Sequence, residues 1–159
     1  PLNDKYIHMK LFVTWFTLIV LTTTCNSKKT ALSNSSENSS QQSEVSISYK
    51  AHTRGFFQEL VLKQNSLTEF KDFDKLNAIS GDLDAKDWEE CIRLLKTINL
   101  KNLPNLKSPT NYRQHDGAPF AQLTVIRKGD TIQSSSFDHK YPPAEIKPLV
   151  EHVLSLQEN

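Results

Sequence analysis

The sequence predicts an α+β domain: a mainly antiparallel sheet of about five strands, in the order β-β-β-α-β-β-α, with two helices packed on one face. Three observations carry this expectation. Residues 45–53 and 121–137 alternate apolar and polar side chains with the period of a strand that has one wet face. Residues 84–98 and 146–154 instead space their apolar positions as a helix does. Strand runs followed by single helices, rather than strict strand–helix alternation, favour a sheet built from neighbours in sequence.

Each element has its own signal. In VSISYKAHT, residues 45–53, Val45, Ile47, Tyr49 and Ala51 fall on one face and Ser46, Ser48, Lys50 and His52 on the other. Thr53-Arg54-Gly55 interrupts that strand, and FFQELVLK, residues 56–63, reads as the second. Gln64-Asn65 suits a tight turn because Asn tolerates positive φ. SLTEFKDF, residues 66–73, is a third and weaker strand. Asp84 starts a helix: its carboxylate suits the free amides of a first turn, and Asp87, Glu89 and Glu90 suit the positive helix end. Trp88, Cys91, Ile92, Leu95 and Ile98 form its apolar stripe. On that stripe Cys91 reads as a small buried hydrophobe rather than a reactive thiol. Pro104 is expected to bar the helix from continuing. Residues 121–137 form a hairpin turning at Lys128-Gly129-Asp130. A last helix runs from about Ile146, with Leu149, Val150, Val153 and Leu154 on its face and Pro148 in its first turn, where a missing amide costs little. No period in the sequence supports internal duplication.

Ahead of this domain, residues 1–25 read as a signal segment. Met9-Lys10 is followed by LFVTWFTLIVL, an apolar run of about ten residues, which is short of the roughly 20 a membrane span takes. Translation is expected to begin at Met9, since residues 1–8 add nothing a signal needs. The run ends at LTTTCNS and resembles a bacterial lipoprotein signal, in which cleavage falls just before a cysteine. The usual box has Leu three places before that cysteine; here those places hold Thr22, Thr23 and Thr24, with Leu21 one position earlier. The resemblance implies that Cys25 carries a diacylglycerol on its thiol and an acyl group on its new amino terminus. Several chains, each contributing about 0.8 kcal/mol per buried methylene, hold a protein on a membrane essentially permanently. Residues 26–44, NSKKTALSNSSENSSQQSE, contain two apolar residues and no aromatic, and read as a disordered tether. At about 5–6 Å × √n, such a tether reaches roughly 25 Å. Residues 45–159 form the single folded domain.

Composition narrows the function classes. The chain of 159 residues holds 19 basic and 18 acidic residues, for a net charge of +1. Lys5 and Lys10 against Asp4 account for that excess, so residues 26–159 are neutral in balance. This offers no basic face for nucleic acid. With Cys25 lipidated, Cys91 is left without an intramolecular partner, and neither a disulfide framework nor a cysteine zinc site can be built. The sequence lacks HExxH, GxSxG, CxxC and a phosphate-binding glycine loop, and four glycines in all argue further against a nucleotide cradle. No cofactor is expected.

Three stretches look unlike filler: HTRG at residues 52–55, HDGAP at 115–119 and FDHKYPP at 137–143. A hairpin centred near Gly129 brings Phe120 beside Asp138 and puts the flanking loops at one end of the sheet. Arg54, His115, Asp116, Asp138 and His139 therefore form a candidate binding or loop-organising cluster, with Arg54 free to pair with Asp116 or Asp138. His115, Asp116, Asp138 and His139 are also suitable ligands for a divalent metal, or an acid–base set. Against this stands turn chemistry: Asp caps amides, Gly permits positive φ and Pro restricts a loop. Ser134-Ser135-Ser136, near His139, reads as the wet face of a strand rather than a nucleophile.

The pattern from YKAHTRGFF through WEECIRLL, LPNLKSPT, DGAPFAQLTV and FDHKYPPAEIKPLV resembles small lipoproteins of Bacteroidota-type bacteria across most of residues 47–156. Their TRG, DG and FDH elements fall on Thr53 to Gly55, Asp116-Gly117 and Phe137 to His139. The resemblance implies compartment and fold, and no activity. The expectation is a lipid-anchored, non-catalytic binding domain of the cell envelope, facing the periplasm or the surface, with an envelope protein or ligand as its partner. The alternatives are the metal site of His115, Asp116, Asp138 and His139, and an inhibitor of an envelope or rival hydrolase.

Overall fold

The computed structural model describes residues 45–157. The expected signal segment, Cys25 and the expected tether lie outside the described residues.

Seven strands make one antiparallel sheet in the order β4-β3-β2-β1-β5-β6, with β7 also on β5. β1 (Val45–His52), β2 (Phe57–Lys63), β3 (Ser66–Phe70) and β4 (Ala78–Asp82) form a meander. The chain then crosses through α1 (Ala85–Leu95) and two 3-10 helices, Leu100–Asn105 and Tyr112–His115. It returns as β5 (Phe120–Arg127) on the far side of β1, followed by β6 (Asp130–Gln133), β7 (Phe137–Asp138) and α2 (Lys147–Ser155). The α+β class and the antiparallel sheet are as the sequence predicts.

The strand period sets the core. Ile47 pairs with Leu62 and Val125, and Tyr49 with Leu60 and Leu123; all are fully buried on one face of the sheet. Trp88, Cys91, Ile92, Leu94 and Leu95 of α1, with Ile146, Leu149, Val150 and Val153 at α2, join those strand residues in a single cluster. The opposite face, from Ser46, Ser48, Lys50 and His52 outward, carries no helix from the described residues and is half-exposed.

Local chemistry explains the boundaries. Asp84 caps α1 by accepting from the Lys86 amide at 2.7 Å. Asn65 turns β2 into β3 at φ 66°, and Lys128-Gly129, at φ 53° and 86°, turn β5 into β6 in the left-handed geometry a two-residue hairpin needs.

Four expectations are corrected. β3 ends at Phe70, because Asp72 turns the chain by accepting from the Leu76 and Asn77 amides. β4 is an added strand: AISGD is exposed along its whole length, so no apolar alternation marks it. Helix α1 stops at Leu95, not at Pro104; the Thr97 and Ile98 amides bond three residues back, and Pro104 sits inside the first 3-10 helix. Ser134, Ser135 and Ser136 are not a wet strand face. These three residues oppose only Gln122 and Leu123 between the Thr124–Gln133 and Ala121–Phe137 pairs, making a β-bulge that separates β6 from β7. Within it the Ser134 hydroxyl accepts from the Leu123 amide at 3.0 Å, and the Ser135 hydroxyl donates to the Leu106 carbonyl.

Candidate functional site

The three unusual stretches do meet at one end of the sheet. Phe120 pairs with Asp138 across β5 and β7, and also with His52 across β5 and β1; His52 in turn pairs with Phe57. The loops 53–56, 115–119 and 138–143 therefore leave the same edge of the strands.

Asp138 is the fixed point of this end. It is fully buried, and its Oδ2 accepts from the Tyr112 amide at 2.7 Å. Oδ1 accepts from the Arg113 amide at 3.0 Å and from the Arg113 guanidinium at 2.9 Å. The same guanidinium nitrogen donates to the Ser108 hydroxyl and the Thr110 carbonyl, at 3.0 and 2.9 Å. One carboxylate thus caps the 3-10 helix Tyr112–His115 and ties residues 108–113 to β7. Burial pushes the Asp138 carboxyl up. The nearby Thr110 hydroxyl, the Arg113 guanidinium and the two amides outweigh it and hold the pKa down at about 2. The Thr110 hydroxyl stands outside hydrogen-bond geometry and has no aligned partner.

His139 is also committed. Its Nδ1 lies 2.8 Å from the Tyr49 hydroxyl, and its ring sits between Tyr49 and Phe56 at centroid distances of 5.9 and 5.7 Å. Burial first, and the Lys140 charge second, lower the His139 pKa and favour the neutral ring. Burial pushes the Tyr49 phenol well above its ordinary value, only partly offset by the Lys140 amide. The phenol keeps its proton, and the direction of its bond with Nδ1 is set by the tautomer of the neutral ring.

The remaining members of the expected cluster do not join it. Arg54 is exposed and forms no ion pair with Asp116 or Asp138 among the described residues; Arg113 takes that role. His115 and Asp116 are exposed at the end of the second 3-10 helix, where Asp116 adopts φ 56°. The metal arrangement of His115, Asp116, Asp138 and His139 is not formed. Both Asp138 oxygens are used by the protein, and no group of three or more His, Cys, Asp or Glu side chains among the described residues is placed to hold an ion. Cys91 is a buried free thiol on α1, its pKa pushed up to about 12 by burial and by Asp87 and Glu90.

Beside the exposed Arg54, His115 and Asp116, this end presents aromatic rings to solvent. Phe56, Phe73, Tyr112, Phe120 and Tyr141 are each more than a third exposed, at 38%, 56%, 55%, 41% and 54%. Phe120 stacks on His52 at 6.1 Å, and His52 meets the edge of Phe73, which packs on Phe57 at 4.7 Å. Tyr112 meets Tyr141 edge-on at 6.2 Å. Sequence reasoning placed Phe56 and Phe73 on strands, Phe120 beside Asp138 and Tyr141 in a turn, and passed over Tyr112; their one signal was proximity to the unusual loops. Two shallow hollows flank the rings. One of about 170 Å³ is lined by Lys50, His52, Phe120, Gln122 and Ser136; the other, of about 280 Å³, by Phe56, Phe57, Gln58, Glu69 and Lys71. Both are smaller than sites that engulf an organic ligand, which run from roughly 300 Å³ upward. The arrangement is suited to contact across a surface.

No protein-family model matches the chain, and no curated protein matches it.

Proposed function

We propose that this protein is a lipid-anchored domain of the bacterial cell envelope that binds another envelope component without catalysis. One observation carries the binding reading: where the unusual loops converge, the buried Asp138 and its partner Arg113 hold the loops, and five aromatic rings are exposed around them. Asp138, which resembles a catalytic group in sequence, has both oxygens taken by Arg113 and two amides, and the Nδ1 of His139 is bonded to Tyr49. Aromatic side chains at a fixed surface supply large contact area at low entropic cost, and interfaces are enriched in them. The anchor reading is supported by Met9-Lys10, the apolar run and Cys25.

Two measurements test the proposal. A photo-crosslinking residue at Tyr141 is expected to give a discrete adduct in cells, while the same residue at Glu151, exposed on α2, gives none. A hydrolase in that adduct would narrow the reading to inhibition. Equal labelling at both positions, or turnover of any substrate that vanishes in His139→Ala, would sink it. Intact mass of membrane-extracted protein beside Cys25→Ser tests the anchor: acyl mass on a chain beginning at Cys25 is expected, and an unmodified chain refutes it.

A further inference from the structure

The two edges of the sheet differ. β6 lies against the first 3-10 helix, whereas all five residues of β4 are exposed. Natural sheets blunt a bare edge with lysine, proline, a bulge or a cover. β4 reads Ala78-Ile79-Ser80-Gly81-Asp82, with no lysine or proline and an unbroken register against β3.

The ladder shows which backbone groups of β4 are left unpaired among the described residues. The Leu83 amide donates to the Asn65 carbonyl at 3.3 Å, so that pair is a hydrogen-bonded one. Hydrogen-bonded and non-bonded pairs alternate along an antiparallel ladder. Gly81 and Ile79 therefore bond to Leu67 and Glu69, and the amides and carbonyls of Ala78, Ser80 and Asp82 point off the edge.

That edge is complementary to itself. We infer that β4 pairs antiparallel with β4 of a second copy of this chain, about a twofold axis at Ser80, joining the two sheets. In this register Ala78 faces Asp82 of the other copy, Ser80 faces Ser80, and all three outward residues exchange bonds. Shifting the centre to Ile79 or Gly81 leaves one outward residue of each copy unpaired. The Ser80-centred register also sets Ile79, 56% exposed, opposite a Gly81 whose missing side chain leaves open space. Asp82 meets Ala78 rather than another carboxylate. An isologous contact of this kind closes after two copies.

The test uses the full chain carrying Cys25→Ser, in which the remaining native thiol is the buried Cys91. Sedimentation velocity is expected to show a dimer that grows with concentration. Ser80→Pro removes the central outward amide, which β3 does not use, and is expected to weaken the dimer at least about tenfold. Circular dichroism of the variant checks that the fold survives. Independently, Ser80→Cys puts two thiols across a hydrogen-bonded pair with Cα atoms about 5.5 Å apart, within disulfide reach. It is expected to cross-link under mild oxidation, while Ala78→Cys, about four residues from its own copy, does not. A chain that stays monomeric at high concentration with no Ser80→Cys cross-link, or one that cross-links equally through Ala78→Cys, overturns the inference.

Discussion

Replacing Asp138 by Asn isolates the charge that holds the loop-bearing end together. The carboxylate is fully buried and accepts from two amides and from Arg113, whose side chain is 12% exposed. An amide of the same shape keeps one acceptor but turns an NH₂ toward either the Tyr112 amide or the Arg113 donors, and leaves the guanidinium facing a neutral group. Two routes give a magnitude. Lowering the carboxyl from 3.8 to about 2 corresponds to roughly 2–3 kcal/mol of folded-state preference for the ionised form. Breaking a buried pair by removing one partner costs about 3–5 kcal/mol. We expect Asp138→Asn to destabilise the domain by about 2–4 kcal/mol, a loss of roughly 10–20 °C in Tm for a domain of this size. The pH dependence has a definite sign. A carboxyl whose folded pKa is depressed contributes stability that is complete above its unfolded value of 3.8 and is lost as pH falls through about 2. Urea unfolding of wild type and variant at pH 7, 4, 3 and 2 reads this directly. The difference between them should be constant from pH 7 to about 4 and shrink toward pH 2. A variant less than about 1 kcal/mol weaker at pH 7, or a difference unchanged at pH 2, refutes the assignment of Asp138 as the anchor.

Tyr49→Phe removes the hydroxyl that bonds to His139 Nδ1 and should cost about 1 kcal/mol. In an NMR titration the wild-type His139 should titrate below its ordinary 6.5, because burial and the Lys140 charge disfavour the imidazolium; titration at or above 6.5 refutes this. Cys91, with its thiol pushed up to about 12, should resist alkylation at pH 8 in the folded protein and react on the unfolding timescale once urea is added. Gly129→Ala places a side chain at φ 86°, with open space around it, so only backbone strain of about 1–2 kcal/mol should appear in the unfolding free energy.

The parts of the fold that were legible share one property: each buries a face, and burial writes a period into the sequence. Tyr49 alternates with Ser48 and Lys50, and Trp88, Cys91 and Ile92 recur along α1, because one side of each element is dry. β4 escaped because nothing on it is buried. Its place is set by the backbone of β3, and backbone pairing leaves no mark on side-chain choice. The candidate site divides the same way. The Phe120–Asp138 neighbourhood followed from the hairpin arithmetic, and the structure has that pair. The partner of Asp138 did not follow. Arg54 and Arg113 each lie in a polar loop next to an unusual stretch, and composition does not rank them. The choice falls to Arg113 because its own amide and that of Tyr112 already meet the carboxylate at the start of a 3-10 helix. One backbone conformation delivers all three donors, which an exposed Arg54 across the sheet end cannot match without ordering a long side chain for a single contact. The same reasoning separates the two kinds of residue at this end of the molecule. A buried carboxylate or a half-buried imidazole must be satisfied by the fold before it is free for chemistry. An exposed phenyl or phenol ring has no such requirement, so the rings of Phe56, Phe120 and Tyr141 are available to a partner while Asp138 and Arg113 are held by the fold.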